Sequence, residues 1–207
     1  QNLADWLKAP QGEPPRHPYD PGFIADTAIA GLAPFPLAGA LWYQGESNAS
    51  TCSEPDTPMP EAQMRAGIET LIADWRNRWE NPDLPILMVQ LPRMNRPWML
   101  FRDLQAQVAA STPRVGLAIT TDLGDPNNVH PNDKRPVGER LARLAAAMAG
   151  DTTVNAEFPK VTQANLDGST VRLAFSGIGL AVAGEVLNGF ELAGGDGQFR
   201  PATARLE

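Results

Sequence analysis

Two short stretches hold most of the residues that could do chemistry in this chain. One is Trp42-Tyr43-Gln44-Gly45-Glu46-Ser47-Asn48; the other, far downstream, is Asp125-Pro126-Asn127-Asn128-Val129-His130-Pro131. His130 is one of only two histidines. A near-neutral imidazole can take a proton from an alcohol and return it to a leaving group. It needs an acceptor for its other ring N–H, and Asp125 and Glu46 are both open to that role. Glu46 is also open to an N-cap or a structural ion pair. Gln44 offers N–H donors for an oxyanion or a sugar hydroxyl, with Gly45 and Asn128 beside the same chemistry. A carboxylate, an imidazole and amides at the ends of strands are parts of an acyl-transfer site. A nucleophile is not evident. Ser47 lacks the second glycine of Gly-x-Ser-x-Gly, so it does not match a nucleophile elbow and is expected to cap the following turn. His17, in a proline-rich loop, reads as a surface histidine.

The elements that must position these residues alternate. The apolar run 36–42 reads as a buried parallel strand ending at the first motif. Residues 61–80 read as a helix, with Met64, Ile68, Leu71, Ile72, Trp75 and Trp79 on one face. Residues 85–91 give a second strand, and 97–111 a second helix with Pro97 in its first turn. Residues 115–121 give a third strand leading into the histidine loop. Residues 133–149 give a third helix, closed by Gly150 as a left-handed C-cap. Residues 23–33 are expected to form a short helix, and 9–22 an irregular segment set by five prolines. Strand–helix alternation implies a parallel sheet covered on both faces, with ligands at the C-terminal strand ends. Both motifs follow a strand and are expected to converge there.

Helical periodicity stops near residue 151. Val171 to Phe175 alternates after the turn Leu166-Asp167-Gly168-Ser169, a hairpin signal. Residues 190–193 and 202–206 read as further strands, separated by Gly194-Gly195-Asp196-Gly197, which reads as a plain turn. Residues 1–150 are therefore expected to form an α/β domain and 151–207 the start of a β-rich module.

The chain has 207 residues, 43% hydrophobic, with a net charge of −7. That acidity argues against nucleic acid or an anionic membrane surface as a partner, because phosphate binding needs clustered cations. No apolar stretch is long enough for a membrane span. The lone Cys52 excludes an intrachain disulfide and is expected to be a free thiol. No His/Cys/Asp/Glu spacing suggests a metal.

With these residues in view, the chain resembles the sialate O-acetylesterase family of SGNH-type carbohydrate esterases. The resemblance runs through Gly39 to Ala49, Ile72-Ala73-Asp74-Trp75-Arg76, Leu84-Pro85 and Val89-Gln90-Leu91. It continues in Arg102 to Gln105, Asp122 to Pro126, His130-Pro131, Lys134, Val137 to Leu141, and Gly189 to Gly194 with Asp196, Gly197 and Phe199.

It implies a three-layer, flavodoxin-like SGNH core lacking its first strand, followed by part of a β-sandwich. It implies a serine hydrolase without cofactor that removes O-acetyl groups from carbohydrate, sialic acid foremost. By that resemblance His130 is the general base, Glu46 the third triad member, and Gln44 a site-lining residue. The serine of the family's Gly-Gln-Ser-Asn segment is expected outside this chain, upstream or on a second chain. Family members commonly have Asp where this chain has Asn128, which shifts the acid role to Glu46 or Asp125. An acetylated plant-polysaccharide esterase and a non-catalytic carbohydrate-binding or scaffold remnant are the alternatives. The family also implies a secreted, periplasmic or lysosome-like compartment.

Overall fold

The structure is a computed structural model and describes residues 16–51, 58–177, 181 and 187–207. Cys52 and the first part of the proline-rich segment lie outside them. The chain divides into two compact units, Gln1–Ala156 and Glu157–Glu207.

The first unit is built on a parallel three-stranded sheet in the order β1 (Ala40–Trp42), β2 (Ile86–Val89), β3 (Val115–Ala118). Between the strands run α1 (Glu46–Thr51), α2 (Glu61–Arg78) and α3 (Met99–Ser111), and α4 (Arg135–Met148) follows. The central strand β2 is buried at all four positions, as a continuous Ile-Leu-Met-Val run requires in a sheet covered on both sides. Each such side chain contributes about 1.5–3 kcal/mol on burial.

One face is covered by α2 and α3. Ile72 and Val108 pack with Ala40, Ile86, Met88 and Val115, flanked by Trp42, Trp75 and Trp79. Trp75 meets Trp42 edge-on at 6.1 Å, and Trp79 donates its indole N–H to Phe35 O at 2.9 Å. The tryptophans read from periodicity as core are thus a partly buried aromatic cluster. The other face is covered by α4. A Cβ on Gly116 of β3 would lie 2.8 Å from Leu87 Cδ2 and 2.9 Å from Met148 Cε, so a larger residue there would push the ends of those side chains aside where α4 packs on the sheet.

Several boundaries differ from the sequence reading. The first strand starts at Ala40, not at residue 36, because Pro36 has no amide to donate and pairing begins where Ala40 N–H reaches Pro85 O (2.8 Å). The third strand ends at Ala118, after which the chain turns, with Leu123 N–H on Thr120 O at 3.0 Å. Helix α3 begins at Met99 with buried Trp98 as N-cap, so Pro97 precedes the helix. The segment 23–33 holds a π-helical turn (Ala25–Ile29) and a 3-10 turn (Ala30–Leu32). Gly150 follows α4 at φ 97°, the left-handed geometry expected of it.

The second unit contains two antiparallel pairs. β4 (Val161–Asp167) pairs with β5 (Thr170–Phe175) around Gly168 at φ 62°. β6 (Glu191–Ala193) pairs with β7 (Phe199–Pro201). The last strand is therefore at 199–201 and not at 202–206. The turn closed by Gly197 N–H on Gly194 O (3.0 Å) sets Phe199 opposite Ala193, so pairing starts at once. Beyond it, Ala204 makes only an isolated bridge to Leu187.

Candidate active site

Strand β1 delivers Trp42 and then turns sharply. Gly45, at φ 143°, is the pivot. A Cβ there would stand 2.8 Å from Phe101 Cζ and closer still to Cε1. The turn thus lies close against the Phe101 ring, and only glycine fits. Helix α1 starts at the next residue. The Glu46 carboxylate accepts the Gly45 N–H at 2.9 Å, which tethers it to the turn that carries it. Ser47 does not cap this helix. The hydroxyls that bond back to it are Ser50, to Glu46 O at 3.0 Å, and Thr51, to Asn48 O at 2.8 Å. Gln44 Nε2 donates to Asn48 Oδ1 at 2.8 Å, which fixes the amide and leaves its second N–H free to donate.

Strand β3 delivers the histidine loop, which is held at four points. Gly124, at φ 99°, lies against Arg93, where a Cβ would be 2.5 Å from Arg93 O; Arg93 N–H donates to Leu123 O at 2.8 Å. Asn95 N–H donates to Pro126 O at 2.8 Å. Arg140 of α4 grips both oxygens of Asp122 at 2.6 Å and also Ile119 O at 2.5 Å. The Arg140 hydrogen bonds hold the Asp122 carboxyl below the ordinary aspartate range. Pro131, at the far end, is buried.

Within the loop, Asp125 Oδ1 accepts the Asn127 N–H at 2.8 Å, and Asn128 Oδ1 accepts the His130 N–H at 2.9 Å. Both side chains therefore shape the backbone that presents His130. The His130 residue is exposed.

The two motifs meet. Val129 packs on the cluster of Ala49, Leu91, Trp98 and Phe101, so the residue before His130 shares a core with α1. Lys134 Nζ stands 5.1 Å from the Tyr43 ring centroid, a cation–π distance. Burial, with the Glu46 charge second, raises the Tyr43 hydroxyl above its ordinary value. It therefore stays protonated well past neutral pH. The structure thus gathers Gln44, Gly45, Glu46, Asn128 and His130 beyond the C-terminal ends of β1 and β3. It does not join Glu46 to His130 by a hydrogen bond. His17 lies elsewhere, exposed, with its Nδ1 accepting the Tyr19 N–H at 3.2 Å.

Three residues of this region were not singled out for the site by sequence. Gln105, buried on the apolar face of α3, accepts the Leu91 N–H at 3.1 Å and donates to Val89 O at 3.0 Å. Its amide takes the place of a neighbouring strand just past the end of β1. A glutamine among Phe101, Leu104 and Val108 at helical spacing was the signal available. Gln90, which follows β2, keeps a buried Oε1 with no partner among the described residues. Lys134 carries no such signal, because nothing in its spacing brings it to Tyr43. Among the described residues, no His/Cys/Asp/Glu group has the arrangement of a metal site.

A family model described as carbohydrate esterase, sialic acid-specific acetylesterase, matches residues 2–147. The chain belongs to this esterase family. Among solved structures it is similar to a carbohydrate acetylesterase from Xanthomonas citri, at 36% identity and a TM-score of 0.72, over 85% of this chain and 41% of that one. This sequence thus spans less than half the length of that esterase. No curated protein sequence matches it. The family match covers β1 to α4, which are the elements that carry both motifs. No helix of the described residues is long and apolar enough to cross a membrane.

Proposed function

We propose that this chain supplies the histidine, glutamate and glutamine of a serine-type esterase that removes O-acetyl groups from carbohydrate. O-acetylated sialic acid is the substrate that the family description supports. The observation that carries the reading is the convergence of the Gln44-Gly45-Glu46 turn with the His130 loop through the Val129 core and the Lys134–Tyr43 contact. The fold reading that goes with it is a flavodoxin-like SGNH core, with residues 157–207 as part of a sandwich module. Its place of action, by family, is outside the cytoplasm.

The nucleophile in this reading is a serine outside this sequence, on the same polypeptide or on a second chain. Its Oγ attacks the acetyl carbonyl carbon while His130 takes its proton. Gln44 and backbone N–H groups hold the oxyanion. Collapse breaks the acyl–oxygen bond, and His130 returns the proton to the departing sugar oxygen. Water, deprotonated by His130, then attacks the acetyl-serine, releasing acetate and the serine. Glu46 supports the imidazolium by its charge.

The test is His130→Ala in the complete protein, assayed by acetate release from O-acetylated sialic acid and from acetylated xylan. A loss of roughly 10³-fold or more in kcat is expected. Activity within tenfold of wild type removes His130 from the role. The ratio between the two substrates decides the sugar.

A further inference from the structure

Beside the Gln44 turn lies a groove of about 460 Å³, bounded by β1, α1, α2 and α3. That volume is within the range of small-ligand sites. Its walls are apolar, with Trp42, Met64, Ile68, Leu71 and Phe101 among them. Apart from the Trp42 indole N–H its polar side-chain groups are amides, and among the described residues no charged side chain lines it. One of these amides is spent: Gln105 has both ends bound to the backbone of β2. Gln44 and Asn48 differ. They bond to each other through Nε2 and Oδ1 at 2.8 Å, which fixes their orientation. That bond leaves the Gln44 Oε1 to accept and the Asn48 Nδ2 to donate.

One donor and one acceptor held side by side suit a sugar hydroxyl, which does both. Apolar walls suit the C–H faces of a pyranose ring. A carboxylated or phosphorylated unit would lose its water here without a counter-charge, which is costly. From this juxtaposition we infer that the groove is a subsite for an uncharged pyranose unit next to the acetylated sugar. The substrate is then a glycan chain and not a free monosaccharide. This rests on the esterase reading above, because Gln44 serves both.

Asn48→Asp tests the claim. It keeps the acceptor for Gln44 Nε2, replaces the free donor by an acceptor oxygen and adds a charge. The complete protein is assayed on O-acetylated xylotetraose and on p-nitrophenyl acetate, which carries no neighbouring sugar unit. The expected result is a rise in KM on the oligosaccharide of at least about three- to tenfold, from the lost hydrogen bond together with the added charge. The effect on p-nitrophenyl acetate should be clearly smaller. Equal effects on both substrates overturn the subsite. In parallel, the complete protein is titrated with unacetylated xylotetraose and followed by NMR at the Trp42 indole N–H and the Asn48 side-chain amide. Shifts of both support the subsite; unmoved signals, or equal binding of a tetragalacturonate, overturn it. A wild type inactive on both esters refutes the esterase reading alone, and the titration then decides the groove.

Discussion

Gly45→Ala tests the geometry on which the site is built. At φ 143° an alanine is held in a region that L-residues rarely occupy, which costs of order 1–3 kcal/mol. Its methyl also runs into the Phe101 ring, 2.8 Å from Cζ. Phe101 is 4% exposed and packed among Ala49, Leu91, Trp98 and Leu104, so it has little room to yield. Overpacking of that kind costs typically 1–3 kcal/mol. Together the two effects predict a loss of roughly 2–6 kcal/mol, a large share of a stability of about 5–15 kcal/mol. Urea denaturation of the 207-residue chain, followed by tryptophan fluorescence, measures it. The decisive control is the cycle with Phe101→Leu. Trimming the ring relieves the clash and leaves the backbone strain, so the two substitutions should couple favourably by about 1–3 kcal/mol. A Gly45→Ala protein within 0.5 kcal/mol of wild type, or a cycle with no coupling, refutes the close approach of turn and ring.

Asn128 and Asp122 give two further tests. Asn128→Ala removes the acceptor of the His130 N–H and should lower kcat about tenfold, the worth of one hydrogen bond of about 1.4 kcal/mol. Asn128→Asp keeps that acceptor and should retain activity within about threefold; equal losses in the two variants would refute a backbone-shaping role. Asp122→Asn weakens the two-point grip of Arg140. The Asp122 side chain is 59% exposed, so solvent screening limits the pair to about 1 kcal/mol or less. Its folded pKa is depressed, so the stability it adds is present above the unfolded value near 3.9 and is lost as pH falls through the folded value. Thermal melts should separate wild type from Asp122→Asn at pH 7 and converge toward pH 3; a constant gap contradicts the linkage.

The sequence by itself determined the parts whose signal is local. Uninterrupted apolar runs marked β2 and β3, because a strand buried on both faces has no polar side to alternate with. Spacing at three and four residues marked α2, and Gly150 marked the end of α4, because only glycine turns left without strain. Residue types alone brought forward Gln44, Glu46, Asp125, Asn128 and His130. Tertiary structure decided what those residues touch. Asp125 and Asn128 bond to the backbone of their own loop, a choice set by turn geometry that composition does not encode. Gln105 looked like a polar blemish on an apolar helix face until its amide met Val89 and Leu91 across the fold. Lys134 and Tyr43 meet because parallel strands β1 and β3 flank β2 and release their loops at the same sheet end. The strand starting at Phe199 was fixed by a turn closing at Gly197, since pairing register follows the turn and not the pattern of residues beyond it. Periodicity records which face of an element is buried; it carries no information about which distant backbone atom that face will meet.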